Sequence, residues 1–166
     1  MVKRIIYMLC LTALLSGCAY SVYSNAYPHL KKIRVTPFEN KSSDYTIGDF
    51  VLNRLTTEFR DDGRLKLVTQ APDCTLEGSI LSFTEKIYSY DSANQVQDYQ
   101  LNLTVAVVFT DLISNQAIYE NKNLTVSELY AVGTESSARF KTKEEAQIEL
   151  IRTLFKTVIQ NSLEAW

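Results

Sequence analysis

A strict alternation of apolar and polar residues in the middle of the chain is the feature that most constrains its fold. Between Asp98 and Asp111 every second side chain is apolar, and most of the side chains between them are amides or hydroxyls. Because successive side chains of a strand point to opposite faces, this pattern predicts a long β-strand with one core face and one largely polar face. The apolar positions are Tyr99, Leu101, Leu103, Val105, Val107 and Phe109, and the polar ones include Gln100, Asn102 and Thr104.

Two other segments have the apolar spacing of an amphipathic helix. The first runs from Asp44 to Asp61 and ends before Gly63, a residue suited to the left-handed position after a helix. The second runs to about Leu163, and Thr142 with Glu145 three residues later indicates a capping box at its start. The predicted buried stripes are Ile47, Val51, Leu55 and Phe59 in the first helix, and Ile148, Ile151, Phe155, Val158 and Ile159 in the second.

Shorter apolar patterns predict further strands. Pro37 has no amide hydrogen, so the strand that contains Ile33 and Val35 is expected to end there or to lie at a sheet edge. Glu39 to Ser43 is expected to be a turn, and Ser114-Asn115 suits a hairpin turn. The remaining strands are predicted around Leu65–Val68, from Cys74 to Ile80 and from Ile118 to Tyr130.

The order of the predicted elements indicates the fold class. Two helices cannot cover both faces of a four- or five-stranded sheet, and the polar positions of the longest strand require one wet face. We therefore expect an α+β fold, a two-layer sandwich in which both helices pack on one face of a mostly antiparallel four- to five-stranded sheet.

The N-terminus has the pattern of a secretory signal. Lys3 and Arg4 precede an apolar run of 11 residues, Ile5 to Leu15, and then small residues. This run is too short for a membrane span of about 20 residues, and it lacks the polar face of a buried cytosolic helix. Leu-Ser-Gly-Cys resembles the bacterial lipobox, which implies that Cys18 is the lipidated first residue of the mature chain.

The expected organisation follows from this junction. Residues 1–17 form a cleaved lipoprotein signal peptide, residues 18–30 a lipidated N-terminus and linker, and residues 31–166 a single domain. Removal of Lys3 and Arg4 lowers the formal net charge from −2 to −4, which disfavours a nucleic-acid partner. Only Cys74 then remains as a free thiol, and it is expected to be buried as a small hydrophobic residue.

Residues for catalysis or for a cofactor are scarce. His29 is the only histidine and lies in the predicted linker, so no nucleophile–base pair and no metal cluster can be assembled from the sequence. No glycine-rich loop precedes a helix. These observations favour a binding or structural protein without a cofactor over an enzyme.

Several motifs occur in the order found in one known family. They are Ile33–Ser42, Phe59–Leu65, Asp73–Ile80, Tyr88–Asp91, Asp98–Leu101 and a closing helix before Trp166. Together with the lipobox and the tyrosines that follow it, they resemble the lipopolysaccharide-assembly lipoproteins, the LptE-like family. The resemblance covers nearly all of the mature chain.

The resemblance implies a location and partners. Members of the family plug a large outer-membrane β-barrel, help it to assemble, and with it insert lipopolysaccharide into the outer leaflet without catalysis. It leaves open whether the lipoprotein itself binds lipopolysaccharide. A barrel lumen is polar, so Gln100, Asn102 and Thr104 are the expected barrel contacts. The candidate partners of lipopolysaccharide phosphates are Lys86, Arg139, Lys141 and Lys143.

Two alternatives remain open on the sequence alone. A periplasmic lipoprotein that scaffolds another envelope complex, such as a secretin pilot, would have the same lipobox and a similar small domain. A lipid-anchored hydrolase would need His29 as a base. The partner recovered from detergent extracts distinguishes the first alternative, and loss of an activity in His29→Ala distinguishes the second.

Overall fold

The computed structural model describes residues 26–134, 136 and 138–164, so the predicted signal peptide and Cys18 lie outside the described residues. No helix in this described part is long and apolar enough to cross a membrane. The elements are β1 (Lys32–Val35), β2 (Glu39–Asn40), α1 (Ile47–Asp62), β3 (Lys66–Leu67), β4 (Cys74–Tyr90), β5 (Val96–Asp111), β6 (Gln116–Ala131) and α2 (Lys143–Ser162).

The three long strands β4, β5 and β6 form an antiparallel meander. With 16 residues, β5 extends for about 50 Å. The predicted alternation is confirmed, because the side chains of Leu101, Leu103, Val105, Val107 and Phe109 are buried while those between them are only half-buried.

The short strands make the sheet mixed rather than wholly antiparallel. Its order is β3-β1-β4-β5-β6, and β1 pairs in parallel with both β3 and β4. Glu39–Asn40, predicted to be a turn, pairs in parallel with β4 as β2, so the sheet has six strands. Pro37 ends β1 and separates it from β2; the two strands follow each other along the same edge of β4.

Both helices pack on the apolar face of this sheet and contact each other. The rings of Phe59 and Phe155 meet edge to face with centroids 4.9 Å apart. The predicted stripe of α1 is buried, and Gly63 has the expected left-handed conformation, with φ 71°. In α2 the buried face centres on Leu150 and Leu154, whereas Ile148, predicted for the stripe, lies at the margin and is half-buried.

The last residues of the predicted linker lie against the domain. Leu30 is fully buried, and the Ala26 amide donates to the Leu163 carbonyl at 3.1 Å. His29, in the predicted linker, is 44% exposed and places Nε2 2.7 Å from Oδ2 of Asp111. A tertiary contact 82 residues away in sequence therefore holds this histidine.

The long strands give the domain two ends, which we call the proximal and the distal end. The proximal end holds residues 26–31, the β5–β6 turn and the ends of both helices, which Arg64 and Glu164 join by an ion pair. The distal end holds the β4–β5 hairpin tip and the start of α2, where Lys143 contacts Glu85.

Candidate functional site

One face of the long strands carries polar side chains that neither α1 nor α2 covers. Gln100, Asn102 and Thr104, the predicted barrel contacts, all lie half-buried on this face of β5. The cross-strand register adds Ser82, Thr84 and Lys86 from β4 and Thr125 and Ser127 from β6. We call these eight residues the polar sheet face.

Hydrogen bonds within the polar sheet face use only part of its bonding capacity. The hydroxyls of Thr104 and Thr125 lie 3.0 Å apart, and Asn102 Nδ2 donates to Gln100 Oε1 at 3.5 Å. An amide group has two donor hydrogens and an acceptor oxygen, so Gln100 and Asn102 retain groups that can bind water or another polar surface. The face is therefore suited to a wet or polar contact.

The four predicted phosphate-binding cations do not form one cluster. Lys86 pairs across the strands with Gln100 and so lies on the polar sheet face. Its neighbour Glu85 points to the opposite, helix-covered face, where it contacts Lys143 and the hydroxyl of Tyr130. Strand alternation thus separates Lys86 from Lys143, although both lie near the distal end.

Lys143 and Lys141 already have partners within the chain. Lys143 Nζ lies 2.5 Å from Glu85 Oε2. Partial burial opposes ionisation of Glu85, yet the hydrogen bonds from Lys143 and Tyr130 leave the pKa of this carboxyl below its usual value. Lys141 Nζ donates to the Ala138 carbonyl at 2.9 Å. Lys143 thus joins the start of α2 to β4, and Lys141 bonds to the loop that precedes α2.

Arg139 lies at the edge of β6 and shares a surface cleft with Gln100. The cleft has a volume of about 490 Å³. The guanidinium of Arg139 stacks over the Phe140 ring, 5.0 Å from its centroid. The other lining residues are Tyr88, Asp98, Ser127, Glu128, Leu129 and Ala138.

This cleft, with Lys86 beside it, is the part of the predicted site that the structure brings together. Lys86 makes no ion pair within the described residues, and Arg139 offers a planar group of donors that suits phosphate geometry. The exposed Tyr88 also lines the cleft, a contribution that the sequence patterns did not indicate as functional. Its place on β4, two residues after Lys86, is the signal that was available.

Cys74 and His29 are the described residues whose chemistry bears on the catalytic alternative. Burial raises the pKa of the Cys74 thiol to about 12, so it stays protonated and a poor nucleophile at neutral pH. His29 contacts Asp111 rather than a nucleophile. Within residues 26–134, 136 and 138–164 no three His, Cys, Asp or Glu side chains are grouped to hold a metal ion.

Comparisons with known proteins agree with the fold and indicate a family. The sequence model of the LptE family, described as lipopolysaccharide-assembly, matches residues 30–161. No curated protein matches the chain.

Two similar solved structures have low sequence identity. The hypothetical protein CT253 from Chlamydia trachomatis has a TM-score of 0.56 and 11% identity, and the match covers 80% of this chain and 98% of that one. Protein XCC0632 from Xanthomonas campestris has a TM-score of 0.50 and 10% identity, with 78% and 84% covered. At such identities the likeness is one of fold.

Proposed function

The chain belongs to the LptE lipopolysaccharide-assembly family, and on this premise we propose that it is an outer-membrane lipoprotein, anchored through Cys18, that plugs a large β-barrel translocon. Residues 1–17 are then the cleaved signal, residues 18–30 the lipidated N-terminus and linker, and residues 31–166 the plug domain. The protein has no cofactor and no catalytic step. Its role is to support assembly of the barrel and the insertion of lipopolysaccharide into the outer leaflet.

The observation that carries this proposal is the polar sheet face. A soluble two-layer domain of this kind buries one face of its sheet against helices, and the other must meet water or a polar partner. The wall of a large outer-membrane barrel presents such a polar surface on its inside. Gln100, Asn102 and Thr104, which lie along about 14 Å of β5, are the contacts that we assign to the barrel wall.

The test of the barrel contact uses one substitution at two sites. The tagged, lipidated full chain is captured from detergent-solubilised outer membranes, and the partners are read by mass spectrometry. We expect a near-stoichiometric large β-barrel protein with the natural chain. Asn102→Arg, which places a long cation on the polar sheet face, should lower its recovery. Asn53→Arg, on the exposed side of α1, should not.

The same capture separates this proposal from the scaffold alternative. Recovery of a different envelope complex would favour the scaffold. Equal recovery of the barrel with Asn102→Arg and Asn53→Arg would move the contact away from the polar sheet face, and absence of any barrel would contradict the plug role itself.

For lipopolysaccharide we propose direct contact at the distal cleft, through Lys86 and Arg139. Their cationic groups can donate charge-assisted hydrogen bonds to the phosphates of the glycolipid, and the ring of Tyr88 in the cleft lining offers apolar surface. Lys141 and Lys143 are engaged within the chain and contribute less.

Purified lipopolysaccharide is the ligand for the corresponding measurement. Lys86→Gln and Arg139→Gln should each weaken its binding by about tenfold, since a hydrogen bond to a charged group contributes about 1.5–3 kcal/mol. Lys122→Gln is the matched control. The side chain of Lys122 is 86% exposed, and this residue lies on β6 five residues before Ser127, which lines the cleft. Equal affinities for the three variants would contradict binding at this cleft.

A further inference from the structure

Two exposed aliphatic residues form the start of the β5–β6 turn at the proximal end. Leu112 is 40% exposed and Ile113 is 61% exposed. They follow the last residue of β5 directly, and Ser114 and Asn115 complete the turn before β6 begins. Both side chains are therefore partly open to solvent. We call this pair the aliphatic tip.

The backbone of the turn is held in place by several hydrogen bonds. The Asp111 carboxylate accepts from the amides of Ile113 at 2.8 Å and Ser114 at 3.1 Å. The Leu112 amide donates to the Asp73 carbonyl at 2.9 Å, which ties the turn to the start of β4. Asn115 adopts the left-handed conformation with φ 55°, as short turns often require. The aliphatic tip is therefore presented outward by a rigid support.

The same carboxylate also holds the N-terminal segment. Asp111, only 2% exposed, accepts from the amides of the turn through Oδ1 and contacts His29 through Oδ2. Cys18 precedes Ala26 by eight residues, so a fully extended chain could separate them by about 28 Å at most. A lipid on Cys18 therefore keeps its membrane near the proximal end and the aliphatic tip.

Lysines lie at the same end of the sheet. The Lys66 amide donates a hydrogen bond to the Lys31 carbonyl at 2.8 Å, where the parallel strands β1 and β3 begin. Neither makes an ion pair with any described residue, whereas Lys32 lies 3.8 Å from Asp73. The nearby carboxylates are already engaged: Asp73 by the amides of Lys31 and Lys32, and Asp111 by His29. Two lysines without an ion pair among the described residues thus lie at the same end of the sheet as the aliphatic tip.

We propose that the aliphatic tip inserts into the headgroup boundary of the membrane that carries the Cys18 lipid, with Lys31 and Lys66 against anionic headgroups. This inference rests on the lipid anchor of the proposed function. Apolar side chains that enter the interface next to basic residues are a recognised mode of peripheral membrane binding. The anchor, the tip and the lysines then attach the proximal end of the domain to that membrane surface.

A tryptophan at the tip reports insertion. Ile113→Trp is prepared in a Trp166→Phe background as the lipidated full chain and reconstituted in vesicles of phosphatidylethanolamine and phosphatidylglycerol. We expect its emission to shift to the blue and to be quenched when the acyl chains carry bromine. Tyr45→Trp in the same background is the control, because Tyr45 is 92% exposed near the distal end and should show neither change.

The outcomes separate this inference from the anchor on which it rests. A chain that does not float with the vesicles lacks the anchor, and this result would overturn both the lipid anchor at Cys18 and the insertion of the aliphatic tip. A chain that floats while the Ile113→Trp and Tyr45→Trp variants respond alike would overturn insertion of the tip alone. Capture of the barrel partner is measured independently and does not depend on either result.

A second pair of variants tests the lysines. Lys31→Gln with Lys66→Gln, added to the Ile113→Trp chain, should reduce the quenching in vesicles with phosphatidylglycerol and leave it unchanged in vesicles of neutral lipid. Lys41→Gln with Lys122→Gln is the control for loss of two exposed positive charges elsewhere on the surface. Quenching that is the same with and without the Lys31 and Lys66 substitutions, in vesicles that contain phosphatidylglycerol, would overturn the role of the lysines.

Discussion

At the scale of single residues, Asp111 is the side chain whose role sequence patterns could not indicate. In sequence it is the last residue of a strand, and its charge suggests only a solvated turn. In the fold it is buried, supports the β5–β6 turn and holds His29. Burial opposes its ionisation, but the hydrogen bonds from His29 and the turn outweigh it and leave the pKa of this carboxyl well below its usual value.

This lowered pKa predicts how stability depends on pH. Because the folded-state pKa lies below the unfolded value of about 3.9, the ionised Asp111 contributes its full stabilisation above that value. The contribution is lost as the pH falls through the folded-state pKa. Asp111→Asn should therefore lower the free energy of unfolding by about 1–3 kcal/mol at pH 7, and by progressively less below pH 4.

Urea unfolding at a series of pH values measures this difference. Asp61→Asn is the control, since Asp61 is exposed at the end of α1 and its replacement should have a small effect at every pH. A difference for Asp111→Asn that is the same at pH 3 and pH 7 would show that the charge of this carboxylate is not the cause.

Gly78 occupies a position that has no room for a side chain. A Cβ atom at this position would lie 2.5 Å from the Ala106 carbonyl oxygen and 2.7 Å from the ring of Phe38. Gly78→Ala should destabilise the fold by about 1–3 kcal/mol, as overpacking does in dense cores. Gly48→Ala, in the first turn of α1 with no contact closer than 3.6 Å, should be neutral or stabilising. Equal midpoints of denaturation for the two variants would contradict this account.

At the scale of secondary-structure elements, the start of α2 is a case in which local sequence was sufficient. Thr142 accepts from the Glu145 amide at 3.2 Å, as the capping pattern predicts. The Glu145 carboxylate bonds back to the Lys141 amide at 3.0 Å, one residue before the cap. Local spacing specifies such a motif because all of its groups lie within five residues.

Removal of this cap should destabilise the protein measurably. Thr142→Ala is expected to lower the free energy of unfolding by about 1 kcal/mol, because the Glu145 amide loses its acceptor. Thr142→Ser keeps the hydroxyl and should retain most of that stability. Thermal unfolding followed by circular dichroism compares the two, and a loss of the same size in both would assign the effect to packing of the threonine methyl group.

The short strands show where local sequence was insufficient. Glu39–Asn40 has the composition of a turn and pairs with β4 only because the chain after Pro37 continues along that strand. The parallel pairing of β1 with β3 and β4 likewise depends on the crossover through α1. Such pairings join residues far apart in sequence, and two-residue strands have no periodicity of their own.

At the scale of the whole molecule, the two ends of the domain carry different features. Residues 26–30, the aliphatic tip and the ends of both helices lie at the proximal end, and the cleft of Gln100 and Arg139 lies toward the distal hairpin. The polar sheet face lies along the long strands between them. An anchor at the proximal end would thus present the cleft at the far side of the molecule.

The lipid anchor is itself a prediction at this scale. Cys18→Ala should remove the protein from the outer-membrane fraction in cells that lack the barrel, because no acyl chain then holds it. In cells that contain the barrel, partial retention through the plug contact is expected. Cys10→Ala is the control, since Cys10 lies within the proposed signal peptide. A Cys18→Ala chain that remains at the outer membrane without the barrel would contradict the anchor.

Sequence by itself determined the features that depend on near neighbours. The alternation of Tyr99 to Phe109, the stripe of α1, the cap at Thr142 and the left-handed Gly63 all rest on residues within a few positions of one another. Hydrophobic periodicity and local hydrogen bonding are enough to specify such elements, and with them the two-layer fold.

Tertiary structure decided which side chains from distant parts of the sequence lie next to each other. It separated Lys86 from Lys143 by the alternation of one strand, placed Gln100 and Arg139 in one cleft, and joined His29 to Asp111. These relations depend on strand register and on contacts across many residues, which the chain acquires only when its elements pack. A single residue of register shift would turn every side chain of a strand to the other face, which is why no local pattern could assign them.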